Sequence, residues 1–231
     1  MFSPASSIEC GLCSGREFTP GPAGRLAATG RPPACARCGS LERHRALRLL
    51  IERLPIGMLS WRRGLQFSPD PAIKPSWFRS YELSVFDGDN SLDLQGIARA
   101  DEAYDFITLN HVIEFVPDAR ASFAELIRVS SPTGLLQIGF SGLRKRSVTT
   151  DHASAQGVHG YFHLFGNDMP DYFGLAASGV SYACVSQSDP VTGVEEDFHF
   201  FSKSADSIGD LERMIASSNR PVTDVGLGAR A

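Results

Sequence analysis

The most regular pattern of apolar and polar positions in this chain runs from Tyr104 to Ser141. Tyr104 to Leu109 is a short apolar run that ends in Asn110 and His111. Such a run predicts a buried parallel strand whose carboxyl end opens into a polar crevice, the place where open α/β sheets bind ligands. After Pro117 and Asp118, the residues Phe123, Leu126, Ile127 and Val129 recur at helical spacing. Ser131-Pro132-Thr133-Gly134 then stops that helix before a second apolar run, Leu135 to Phe140. Strand, helix, strand with a right-handed crossover is the repeating unit of a doubly wound sheet, so the pattern predicts an α/β, Rossmann-like fold.

Weaker patterns fill in the rest. Trp61 to Asp70 predicts a first strand and its turn, and Tyr81 to Asp87 a second strand. Ser40 stands as an N-cap before a helix that keeps Leu47, Leu50 and Ile51 on one face. Arg144 to Gly160 has no periodicity and predicts a mobile loop over the crevice. A short helix ends at Gly179, Val180 to Ser186 and Asp197 to Ser202 form an antiparallel pair, and Ala205 to Ser217 forms a surface helix before a poorly ordered tail, Asn219 to Ala231. The expected organisation is a cysteine-bearing module over 1–40, a connecting helix over 41–60, the α/β domain over 61–204, and the final helix and tail over 205–231.

Composition narrows the class. With 231 residues, 42% of them hydrophobic, the chain can bury a full core. A net charge of -4 gives no electrostatic case for nucleic acid, whose phosphates call for clustered Lys and Arg. No apolar run reaches membrane-spanning length, and the opening MFSPASSIEC has neither a basic start nor a signal-length apolar stretch, so a cytoplasmic protein is expected.

In a reducing compartment cysteines point to metal before disulfides. Four of the 5 cysteines form two CxxC pairs, Cys10/Cys13 and Cys35/Cys38, separated by 21 residues. Each pair is a tight turn that aims two thiolates at one centre, and two turns complete a tetrahedral zinc site with no open position. Such a site stabilises structure and activates no water.

Candidate ligand residues follow from strand ends. Asp87 lies 17 residues beyond Asp70, near the spacing at which an acid ending the second strand accepts hydrogen bonds from a ribose. Asn110 and His111 close the crevice from the next strand. A glycine-rich phosphate or cofactor loop is absent: Phe67-Ser68-Pro69-Asp70 occupies the first turn.

The stretch Asp105-Phe106-Ile107-Thr108, Asn110-His111-Val112-Ile113-Glu114-Phe115-Val116, Glu125-Leu126-Ile127-Arg128-Val129 and Pro132-Thr133-Gly134 resembles the second half of class I S-adenosylmethionine-dependent methyltransferases, with Phe115 in place of a histidine and Thr133 in place of a glycine. The paired CxxC motifs followed by Gly39-Ser40-Leu41-Glu42-Arg43-His44-Arg45 resemble bacterial members that carry an N-terminal zinc ribbon and accompany glycosyltransferases. The resemblance implies S-adenosylmethionine as cofactor, structural zinc, and O-methylation of a sugar or other small polar acceptor. It implies cofactor contacts from Phe67, Ser68, Pro69 and Asp70, whose FxPE-type turn carries Asp for Glu, and from Asp93 and Leu94 near adenine, beside Asp87, Asn110 and His111. His163, Phe165 and Asp168 match landmarks of an HxRxYGxD-type segment without its arginine. His163, His159, His111 and Asp168 are thereby the candidates for the group that removes the acceptor proton. The glycine-free turn and the missing arginine keep open the alternative of a methyltransferase-fold binding or scaffold protein without turnover.

Overall fold

The computed structural model describes residues 8–55, 57–156 and 160–218. Two expectations, the tail from Asn219 and the candidate base His159, lie outside them. In chain order the elements are β1 (Phe18–Thr19), β2 (Ala34–Cys35), α1 (Glu42–Ile51), β3 (Arg63–Phe67), β4 (Ser80–Ser84), β5 (Tyr104–Asn110), α2 (Ala119–Val129) and β6 (Ser130–Gly139). There follow β7 (Thr150–Gln156), β8 (Tyr161–Leu164), α3 (Met169–Tyr172), α4 (Leu175–Ser178), β9 (Ser181–Ser188), β10 (Glu195–Ser202) and α5 (Ala205–Ser217).

A six-stranded sheet in the order β4-β3-β5-β6-β10-β9 organises the domain. Its first four strands are parallel, β10 runs antiparallel to β6, and β9 antiparallel to β10. The inner strands β3, β5 and β6 are largely buried on both faces, and side chains along the sheet alternate between two cores. Leu65, Phe67, Ile107, Leu109, Leu136 and Ile138 pack with Phe123, Leu126 and Val129 of α2. Phe106, Leu135, Ala183, Val185, Phe198 and Phe200 pack with α1 and α5, through Leu47, Leu50 and Ile51 on one helix and Ile208, Leu211 and Ile215 on the other. A period of two on the strands and of three to four on the helices is what places each residue in its core.

The chain leaves β3 outward to β4 and then returns to lay β5 on the other side of β3. The strand order therefore reverses between β3 and β5, and a crevice opens beyond their carboxyl ends, the general ligand position of such sheets. No α-helix forms in the β3–β4 crossover; a 3-10 turn at Pro75–Trp77 does the work. Pro71 and Pro75 in that segment remove backbone donors that a helix interior would need.

Three element expectations are corrected. The second strand ends at Ser84, so Asp87 lies in the following turn with φ +56 and is exposed. The stretch from Arg144 contains, in place of a structureless loop, a 3-10 turn at Leu143–Lys145 and β7, which pairs antiparallel with β8. Ser40 is not the cap of α1: the backbone N–H of Leu41 donates to His44 Nδ1 at 3.1 Å, and Ser40 turns its hydroxyl to the cysteines.

Candidate cofactor cleft and zinc module

The two CxxC turns are built alike. Ser14 and Gly39, each just past the second cysteine of its pair, adopt left-handed φ of 58 and 71 and donate their N–H groups to the carbonyls of Cys10 and Cys35, both at 2.8 Å. Glycine adopts this geometry freely and serine at a cost of about 1 kcal/mol. The four sulfurs lie within 4.8 Å of one another, with Cys10 and Cys38 3.7 Å apart and Cys13 and Cys35 3.6 Å. Four sulfurs at the Zn–S distance of about 2.3 Å from a common centre stand roughly 3.8 Å apart, so this donor set fits zinc. Ser40 Oγ lies 3.2 Å from the sulfurs of both Cys10 and Cys38, placed to donate to a thiolate.

The module is fastened to the far edge of the sheet. Arg45 and Asp189, both wholly buried, form a two-bonded ion pair through Nε–Oδ1 at 2.7 Å and Nη2–Oδ2 at 2.8 Å, and Arg45 Nη1 donates to the Ser40 carbonyl at 2.8 Å. Thr29 and Arg31 donate to the carbonyls of Thr192 and Val191 in the β9–β10 turn.

At the switch point lies a cavity of about 870 Å³, near the upper end of the range of small-molecule sites. Phe67 and Ser68 at the end of β3, Ser84 to Phe86 at the end of β4, Ser91 to Gln95, and His111, Val112 and Phe115 beyond β5 line it. Its wall is apolar with hydroxyls and one carboxylate, a mixture suited to a nucleoside-sized ligand. Gly160 closes it from the β7–β8 hairpin, where Tyr161 stacks on Phe115 with ring centroids 4.9 Å apart. Two lining residues, Ser68 and His111, hold left-handed φ of 63 and 54, a strain of the kind that gathers at ligand sites. Each is pinned by a backbone bond: Ser68 N–H to the Ser84 carbonyl at 2.9 Å and His111 N–H to the Gly139 carbonyl at 2.8 Å.

The structure thus brings Phe67, Ser68, Asp93, Leu94 and His111 to one wall. Pro69, Asp70, Asp87 and Asn110 do not line it. Asp70 and Asn110 instead support the floor: Asn110 Nδ2 donates to Asp70 Oδ2 at 2.9 Å, Gln137 Nε2 donates to Asn110 Oδ1 at 3.0 Å, and Thr108 Oγ1 donates to Gln137 Oε1 at 2.6 Å. A Cβ on Gly139 would come within 2.3 Å of Asn110 Oδ1, so this network needs glycine beside it. Asp87 lies in the exposed turn after β4, one residue beyond the lining residue Phe86. In register, Phe67 pairs with Ser84, which leaves Val85, an apolar residue, at the strand end where an acid was expected.

His163 is buried away from the cavity, with Nδ1 2.8 Å from Asp151 Oδ1 and Nε2 2.9 Å from the Val116 carbonyl. Both ring nitrogens are therefore engaged, and the ring is fixed between Asp151 and the Val116 carbonyl without lining the cavity. Asp168 does not orient it: its Oδ1 accepts from the N–H and Oγ1 of Thr149, each at 2.7 Å. His111 is the one candidate base on the cavity wall among the described residues, and burial, followed by the charges of Arg43 and His44, pushes its pKa down to about 4.

Residues 89–138, from the rim of the cavity through β5 and α2 into β6, match the family model described as a methyltransferase domain. The fold is of the methyltransferase-type Rossmann-like class. A solved structure from Thermotoga maritima, described as a SAM-dependent methyltransferase and possible histamine N-methyltransferase, is 15% identical over 68% of this chain and 87% of its own, with a TM-score of 0.46. The 1,6-didemethyltoxoflavin-N1-methyltransferase of Burkholderia thailandensis, solved with 1,6-didemethyltoxoflavin and S-adenosylhomocysteine, is 13% identical over 69% of this chain and 78% of its own, with a TM-score of 0.45. No curated protein matches the chain in sequence. Among the described residues no helix is long and apolar enough to cross a membrane.

Proposed function

We propose that this protein transfers a methyl group from S-adenosylmethionine to an oxygen of a sugar or other small polar acceptor. The observation that carries the reading is the cavity at the switch point, part of whose wall falls within the segment that matches a methyltransferase domain. Phe67, Ser68, Asp93 and Leu94 would hold the cofactor, which supplies an electrophilic methyl group on a sulfonium. Asp70 and Asn110 support the floor, and the four thiolates of the N-terminal module hold zinc in a structural role.

The chain's own work in such a transfer is alignment and proton removal. His111 is placed for the second task. Among the described residues no protein group hydrogen-bonds its ring, and its lowered pKa keeps it neutral at pH 7, as a base beside a cationic donor has to be. The expected test is calorimetric: S-adenosylmethionine and S-adenosylhomocysteine bind one per chain, and methyl transfer appears against a panel of hydroxylated acceptors. Absence of cofactor binding refutes the reading. The helix-free β3–β4 crossover and the serine at the first turn favour one rival, a binding protein that keeps the cleft without turnover. Binding without transfer across the panel would select that rival.

A further inference from the structure

Arg43, His44 and Glu196 gather on the zinc-module side of His111, outside the cavity lining itself. Arg43 and His44 sit in the first turn of α1, at the end where Arg45 grips Asp189 at the β9–β10 turn. Because β10 runs antiparallel to β6, Glu196 near its start lies at the same carboxyl edge of the sheet as His111, and it shares the strand face of Phe198 and Phe200, which packs on α1. The Arg43 charge bears on both His111 and Glu196.

The charges around them have partners. Glu42 is held by Arg25 at 2.9 Å, Arg45 by Asp189, and Asp70 by Asn110 and the N–H of Ala72. Among the described residues no hydrogen bond or ion pair within 4.0 Å engages the Arg43 guanidinium or the Glu196 carboxyl, both half-buried, or the His111 ring, and His44 offers only Nδ1 to Leu41. Half-burying polar groups without partners costs free energy that a ligand would recover. Burial, with the Glu42 charge adding to it, pushes Glu196 up to about 7.

We infer that Arg43, Glu196 and His44 form the acceptor subsite, and that it takes a polyhydroxylated anion, a sugar bearing a carboxylate or a phosphate. Arg43 receives the anionic group through its planar fork of donors, Glu196 and His44 hold hydroxyls, and the hydroxyl to be methylated lies toward His111. This rests on the methyltransferase reading above. Protein saturated with S-adenosylhomocysteine is titrated with hexuronates, hexose phosphates, neutral hexoses and inorganic phosphate. An anionic sugar should bind at least tenfold tighter than its neutral counterpart and than inorganic phosphate, and the preferred class identifies the anion as carboxylate or phosphate. Arg43→Gln should erase the preference without changing S-adenosylhomocysteine affinity, and Arg43→Lys should restore only part of it. Cofactor binding with no preference for anionic sugars, or a preference that survives Arg43→Gln, overturns the subsite alone. Failure to bind S-adenosylhomocysteine overturns the methyltransferase reading and the subsite together.

Discussion

Removing the carboxylate of Asp189 is the most informative perturbation of the scaffold. Its two oxygens accept from Arg45 Nε and Nη2, and Oδ2 also accepts from Thr192 N–H at 3.0 Å and Thr192 Oγ1 at 2.7 Å. Asp189→Ala would leave a wholly buried guanidinium with one remaining bond, Nη1 to the Ser40 carbonyl. Each lost charge-assisted bond is worth about 1.5 to 3 kcal/mol, and deleting one partner of a buried pair costs about 3 to 5 kcal/mol in total. Urea unfolding is expected to report a loss in that range at an unchanged slope. The double variant Arg45→Met/Asp189→Ala should be more stable than Asp189→Ala alone, because it removes the orphaned charge as well as its partner. Since Arg45 also holds the backbone of Ser40, whose hydroxyl touches two zinc-site sulfurs, Asp189→Ala should release zinc to a competing chelator faster than the parent. A loss below about 1 kcal/mol, or a double variant as unstable as the sum of the two single ones, would refute the role assigned to the pair.

The N-terminal module is expected to carry one zinc per chain by metal analysis, and Cys13→Ser should lose it while the far-ultraviolet dichroism of the α/β domain persists. Ser68→Gly relieves a left-handed φ and should stabilise the fold by up to about 1 kcal/mol in thermal unfolding. His44, His111 and His199 have pKa values pushed down to about 4, chiefly by burial, whereas burial pushes Glu114 and Glu196 up to about 7. Between about pH 4.5 and 6.5 the unfolded chain gains three histidine protons and the folded chain keeps two glutamate protons, so stability should fall with acidification by about 1.4 kcal/mol per pH unit, and a flat profile would contradict the burial of the rings. If His111 is the base, the acid limb of kcat should lie near pH 4 to 5, well below that of a free imidazole, and His111→Ala should lower turnover about a hundredfold with donor affinity kept.

What the sequence made legible is what depends on periodicity and spacing. The run Tyr104 to Leu109 and the stripe Phe123, Leu126, Ile127 and Val129 each face a core, and burial on that scale outweighs local propensity, so β5 and α2 stand where their patterns place them. The paired CxxC turns were legible because a metal site needs its ligands at short, regular intervals. Polar commitments were not. Nothing local tells that Asn110 is bonded to Asp70 and Gln137, or that His163 meets Asp151 and a carbonyl 47 residues away, because those partners arrive through the tertiary fold. Asp87 falls outside the strand for a related reason: Val85 N–H bonds to the Asn90 carbonyl and ends β4 at Ser84. The β7–β8 hairpin was hidden because exposed residues on β7 supply no alternation.

The grip of the zinc module on the β9–β10 turn also imposes an order of events on the chain. The four thiolates lie within 29 consecutive residues, so zinc can gather them as soon as that short segment exists. The groups that seat the module are much farther away in sequence: Arg45 to Asp189 spans 144 residues, Arg31 to Val191 160, and Thr29 to Thr192 163. Closing loops of that length is slow, and during synthesis the second partner emerges only when most of the chain has been made. The first part of the protein able to assemble is therefore the last to be locked in place. Until β9 and β10 join the sheet, Arg45 has no carboxylate to pair with, and the start of α1 is not yet seated against the domain.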